Sequence, residues 1–141
     1  MIHLQLVTLS GIKFDDDVYE VVLPTLDGEI GVLTDHMPLI SVATNGVIAV
    51  RRQARDSDTA REYYATNGGV IEVDRNTLRV IVDEADHADD ISEAEAEAAH
   101  QRALQLKSEA KDEVSLEHAQ ALVDRSAVRL QVAQLRRRQS R

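Results

Sequence analysis

Asp27-Gly28-Glu29-Ile30-Gly31-Val32-Leu33-Thr34-Asp35-His36-Met37-Pro38-Leu39 is the most heavily punctuated stretch of the chain. It holds two of the six glycines, one of the two prolines and one of the five histidines. Asp27-Gly28 marks a tight turn, because glycine accepts positive φ without a Cβ clash. Gly31 interrupts an apolar strand over 30–33, which predicts a bulge or the close approach of another backbone. Pro38 has no N–H to give a ladder, so it belongs at a sheet edge or a bend. A loop this specific between two strands points to contact with another molecule.

Outward from that stretch, residues 1–85 read as many short strands. Ile2-His3-Leu4-Gln5-Leu6-Val7 alternates apolar and polar and stops at Ser10-Gly11. Val18-Tyr19-Glu20-Val21-Val22-Leu23 stops at Pro24, and 39–43 is closed by the turn pair Asn45-Gly46. Segments 47–50, 61–66 and 70–73 follow, and 77–82 is the last expected strand. Turn signals at such regular spacing predict an all-β sandwich or barrel. Tyr63 and Tyr64 are expected to pack in the core and across strands.

Composition changes at Asp83-Glu84-Ala85-Asp86-His87-Ala88-Asp89-Asp90. No Gly or Pro follows residue 69, and Ala, Glu, Gln, Leu and Arg take over, all strong helix formers. Ser92-Glu93-Ala94-Glu95 is a capping box. It opens a helix from about residue 93 to about 111 with the stripe Ala96, Ala99, Ala103, Leu106, Ala110. Ser115 is the expected cap of a second helix from about 116 to about 138, with the stripe Leu116, Ala119, Val123, Ala127, Leu130, extended by Ala133 and Gln134. The expected architecture is therefore an all-β N-terminal sandwich (1–85) followed by a C-terminal antiparallel two-helix hairpin (86–141). An Ala-rich seam buries less area than a Leu seam, so such a hairpin can detach.

Charge and composition exclude several function classes. Net charge is −9, against a generic nucleic-acid binder. Residues 1–85 carry −7, 86–117 another −7, and 118–141 carry +5. The basic end, Arg136-Arg137-Arg138, suits a helix C-terminus and offers a cationic tip to an acidic surface. There is no Cys, so disulfides and thiolate metal sites are out. No apolar run approaches the ~20 residues of a membrane span, and no signal peptide is evident, which predicts a protein that is cytoplasmic or peripheral to a membrane. Phosphate-loop, nucleophile-elbow and zinc motifs are missing. Asp35 and His36 are the one acid/base pair to weigh, as a small β-sandwich enzyme. A helical-hairpin adaptor using Arg136–Arg138 is a further alternative. The 84–90 run reads as a solvated linker whose acids favour the next helix start.

Residues 28–39, Gly-Glu-Ile-Gly-Val-Leu-Thr-Asp-His-Met-Pro-Leu, then Gly68-Gly69-Val70-Ile71-Glu72-Val73 with Asn76, then Asp83, Ala85 and Ala88 ahead of an Ala-rich hairpin, resemble the epsilon subunit of bacterial F-type ATP synthase. The resemblance covers nearly the whole chain. It implies a non-catalytic central-stalk rotor subunit that links gamma to the membrane rotor (c) ring at the cytoplasmic face of the cell membrane. It implies no cofactor and no metal. Glu29 and His36 fall at the family's ring-contact positions. The hairpin is implied to fold beside the sandwich or extend into the alpha/beta catalytic head, where it restrains ATP hydrolysis; Arg125, Arg129, Arg136, Arg137 and Arg138 match the head-contacting bases. Some members bind ATP through an Ile/Leu-Asp-x-x-Arg-Ala run. Here it is Ile91-Ser92-Glu93-Ala94-Glu95-Ala96, with Ser92 for Asp and Glu95 for Arg. Ile91, Arg125 and Arg129 remain of that nucleotide site. An acid in a phosphate partner's place predicts weak or absent ATP binding.

Overall fold

Alternating burial along β1 (Ile2–Thr8) gives the fold its logic: every second side chain is buried and the rest lie outward. The computed structural model describes residues 1–139. It continues with β2 (Gly11–Val18), β3 (Glu20–Thr25), β4 (Gly28–Val32), β5 (Leu39–Ala43), β6 (Gly46–Arg51), β7 (Glu62–Thr66), β8 (Gly69–Asp74), β9 (Thr77–Val82) and β10 (Ala85–His87). Helices α1 (Glu93–Glu109) and α2 (Glu113–Gln139) follow. Hydrogen bonding runs β10-β7-β6-β3-β5-β8-β9-β1-β2, with β4 on β3. The step from β3 to β5 is a single pair, Thr25 with Ala43, and it divides the path into two layers. Neighbours are antiparallel except β1 and β9, which are parallel.

One apolar core fills the space between the layers. Val21, Leu23, Val32, Ile48, Val50 and Tyr64 meet Ile2, Leu4, Leu6, Ile71, Leu78 and Val80 there. Phe14 on β2 meets Tyr64 on β7 edge-to-face at 6.5 Å, joining the two ends of the path. The tyrosines thus sit as expected: Tyr64 is buried and Tyr63 packs against the helices. Burial pushes the Tyr64 hydroxyl up to about 12.

Several local expectations are corrected. Residues 11–18 form a full strand despite Asp15-Asp16-Asp17, because β2 is an edge whose outward side chains stay in water. Gly31 makes no bulge; it sits opposite Val22 in unbroken register. The bulge lies instead in β1, between Leu6 and Val7. Pro24 is inside β3, not beyond it. The 77–82 strand is not the last, since β10 adds to the edge of β7. Helix α2 starts before Ser115: the Asp112 carboxylate accepts the Ser115 N–H at 2.7 Å and caps it. Ser92 does cap α1, accepting the Glu95 N–H at 3.2 Å.

The helix seam keeps part of the expected stripes and adds Ser126 to them. Buried positions are Ala96 and Ala103 on α1, and Ala119, Ser126 and Ala133 on α2. A seven-residue spacing of small side chains lets the two backbones approach. A second face of α2, Val128 and Val132, packs with Val47, Tyr63 and Ala65 on the outer side of β6 and β7. Ala127 and Leu116 are exposed, because α2 must serve two faces and a single stripe cannot describe both.

Candidate functional site

The loop after β4 is fixed by a pair of left-handed residues. Asp35 has φ 64° and Asn76, in the β8–β9 turn, has φ 60°. Short polar side chains tolerate that region, where they bond locally. The Asp35 N–H donates to Asn76 Oδ1 at 2.6 Å, and Asn76 Nδ2 donates to Asp35 Oδ1 at 3.1 Å. The Asn76 carbonyl accepts the His3 N–H at 2.9 Å, so one residue ties loop, turn and β1 together. His36 is half-buried, and its Nδ1 donates to the Met37 carbonyl at 2.7 Å. Glu29 stands exposed on β4 opposite Pro24. Among the described residues no hydrogen bond joins Asp35 to His36: one is held by Asn76, the other by its own backbone. That is a shaped surface, not an acid/base dyad.

The second cluster lies where α2 crosses the exit of the sandwich. Arg125 grips Glu84 with two bonds, Nε to Oε2 at 2.9 Å and Nη2 to Oε1 at 2.5 Å. Arg129 donates to Asp86 and lies 3.5 Å from Glu84. Arg136 donates to Asp89, and Arg137 pairs with Glu93 at 2.9 Å. Arg138 is exposed. The Arg125 guanidinium holds the Glu84 carboxyl below its ordinary value. Burial, and then the neighbouring Glu84, push Asp86 up. Arg136 holds Asp89 down. Residues 84–90 are therefore no solvated linker, but a strand and a 3-10 turn (Ala88–Asp90) in which Glu84, Asp86 and Asp89 are paired with arginines of α2. His87 lies edge-on to Tyr64 at 5.1 Å and accepts the Asp89 N–H.

Beside this clasp a groove of about 200 Å³ is lined by Ser92, Glu95, Arg102, Arg125 and Arg129, among others. Ile91 is buried in the apolar seam with Val128 and Val132. The arrangement puts Glu95 on the wall of the groove and engages both helix-two arginines from below.

Sequence inspection missed a third feature. Val42, Val70, Ile81, Val7 and Ile12 are successive cross-strand partners over β5, β8, β9, β1 and β2. Four of them are half exposed, from 45% at Val70 to 61% at Ile12, and Ile40 beside them is 79% exposed. This apolar row covers the outer face of one layer, while the helices cover the outer face of the other.

Residues 1–88 match the family of ATP synthase, Delta/Epsilon chain, beta-sandwich domains. An ATP synthase epsilon chain of Gloeobacter violaceus is 36% identical over 94% of this chain and 96% of its own length. The chain belongs to the ATP synthase epsilon chain family. It is also 35% identical to an ATP synthase epsilon chain of Chloroflexus aggregans over 99% of both. The same fold occurs in a chain of the Euglena gracilis mitochondrial ATP synthase OSCP/F1/c-ring structure, at a TM-score of 0.80 and 21% identity, covering 94% of this chain and 81% of that one. It is an accessory subunit, not a catalyst. None of the described helices is long and apolar enough to cross a membrane.

Proposed function

We propose that this chain is a central-stalk rotor subunit that joins gamma to the membrane rotor ring and restrains ATP hydrolysis with its hairpin. The observation that carries it is the apolar row from Val42 to Ile12, a ready seat for gamma on the face the helices leave open. Full-length chain mixed with gamma should co-elute, and a double Val70→Asp, Ile81→Asp substitution should abolish co-elution while leaving the fold intact. Separate elution of the wild-type pair overturns the assignment.

Glu29 and His36 are the proposed ring contacts, supported by the stiffness of the loop that Asn76 fixes. Single cysteines at either position should cross-link to the ring in the assembled enzyme at the cytoplasmic face of the cell membrane, and failure at both removes the assignment. Arg125, Arg129 and Arg136–Arg138 are the proposed contacts with the alpha/beta head when the hairpin extends. The chain then works as two units, a sandwich and a hairpin. Because β10 crosses residues 85–87, a cut meant to separate them belongs after Asp90. ATP is proposed to bind weakly or not at all, since Glu95 faces the groove and the carboxylates of Glu84 and Asp86 already hold Arg125 and Arg129. Micromolar affinity by isothermal titration would refute this.

A further inference from the structure

Three arginines on one edge of α2 meet three acids of the strand exit in the same order: Arg125 with Glu84, Arg129 with Asp86, Arg136 with Asp89. The spacing fits. Four helical residues from 125 to 129 rise about 6 Å, and two residues of strand from 84 to 86 advance at most about 7 Å. The strand exit thus presents Glu84 and Asp86 at the pitch at which the helix presents Arg125 and Arg129, and the 3-10 turn that follows brings Asp89 to Arg136. We infer that residues 84–89 are an internal acidic competitor: they occupy the arginine edge of α2 in cis, and lock the hairpin onto the sandwich without a nucleotide, until an acidic protein surface displaces them.

Four observations argue for a lock and against incidental surface pairs. Glu84 and Asp86 are each only 29% exposed and Arg129 23%, so their pairing is less screened than that of fully solvated ions. Arg125 makes a two-bond fork with Glu84, the geometry that carries most directionality. The ionic ladder is flanked at both ends by neutral bonds from α2 to the sandwich: Asn45 Nδ2 donates to the Asp124 carbonyl at 2.9 Å, and Gln139 Nε2 to the Arg61 carbonyl at 2.7 Å. Under the ladder the seam is mostly Ala and Val, so charge supplies a larger share of the holding energy than in a Leu-rich interface. The fork occupies the Nε and Nη2 edge of Arg125, so an acidic partner reaches that edge only by displacing Glu84. The inference rests on the proposed head contact only for the identity of the displacing surface.

The test uses the isolated full chain, which has no native cysteine. Spin labels at Ser10→Cys and Val114→Cys, in the β1–β2 turn and at the exposed hairpin tip, report the sandwich–hairpin distance. At low salt one narrow distance is expected. Raising salt to about 1 M, where the screening length falls to about 3 Å, should increase the released, broad population about tenfold. Glu84→Gln with Asp86→Asn and Asp89→Asn should do the same, decaglutamate should mimic it in the wild type, and ATP should leave the distribution unchanged. The charge swap Glu84→Arg with Arg125→Glu should restore the narrow distance lost in either single variant, which separates lost pairing from lost folding. A distribution unmoved by salt and by the triple substitution, or narrowed by ATP, overturns the lock. Because gamma is absent, failure of gamma binding and failure of the lock are read separately.

Discussion

At the scale of single residues, the positions that matter are those where backbone or charge has one solution. Gly69 is one: a Cβ there would lie 2.1 Å from the Ile81 carbonyl oxygen and 2.8 Å from Val82 Cα. Gly69→Ala must push β8 and β9 apart, and should cost more than about 2 kcal/mol in urea unfolding. Asn76→Ala removes both bonds to Asp35 and leaves a left-handed turn without its local acceptor, an expected loss of about 1–3 kcal/mol by the same measurement. His3 offers a titration. Its ring bonds Asp17 at 2.8 Å and Asp15 at 2.7 Å, and those bonds, Asp17 first, raise its pKa above 6.5. A raised folded-state value means that protonated His3 favours the native state. The contribution is full below the unfolded value and is lost as pH rises through the folded one. A histidine-resolved NMR titration should place His3 above the ordinary range, and Asp17→Asn should bring it back down. Of these residues, Asn76 and the paired glycines were legible in the sequence as motif positions. The Asp–His–Asp contact was not, because it depends on the register of β1 against β2, which a bulge shifts.

At the scale of elements, the sequence displayed strands by alternation and the start of α1 by its cap, and the structure agrees with both. It failed where one element serves two neighbours. Helix α2 buries small residues against α1 and Val128 and Val132 against the sheet, so its apolar positions follow no single stripe. Strand β8 has apolar side chains on both faces, Ile71 inward and Val70 outward, and alternation alone cannot say which is the core. The clasp was hidden for another reason: Arg125 and Glu84 are 41 residues apart, and a run of acids looks the same in a sequence whether it is solvated or paired. The two-faced helix makes a direct prediction. Val132 is fully buried at the sheet, so Val132→Ala should lose about 2 kcal/mol of hairpin docking. Ala127→Ser, on the solvated face, should lose almost nothing. Limited trypsin digestion at the arginines of α2 should speed up in the first variant and not in the second.

At the scale of the whole molecule, the question is where the sandwich ends, because the answer decides what a truncation means. Strand β10 pairs Ala85 with Thr66, Asp86 with Ala65 and His87 with Tyr64, and Ala85 and Ala88 are buried. A fragment ending at Glu84 therefore loses the helices together with the strand that covers the β7 edge and the His87 ring that packs on Tyr64. A fragment ending at Asp90 loses the helices alone. Both expose the former helix seat over Val47, Tyr63 and Ala65, so the difference between them isolates β10. The shorter fragment should unfold at lower urea, by about 2 kcal/mol or more, and should self-associate through the bare edge of β7. Reconstituted with the rest of the enzyme, the 1–90 fragment should assemble as the full chain does and raise ATP hydrolysis, since it keeps the apolar row and lacks the hairpin. Hydrolysis that rises only with the 1–84 fragment would trace the effect to a damaged sandwich, and the hairpin would lose its inhibitory role.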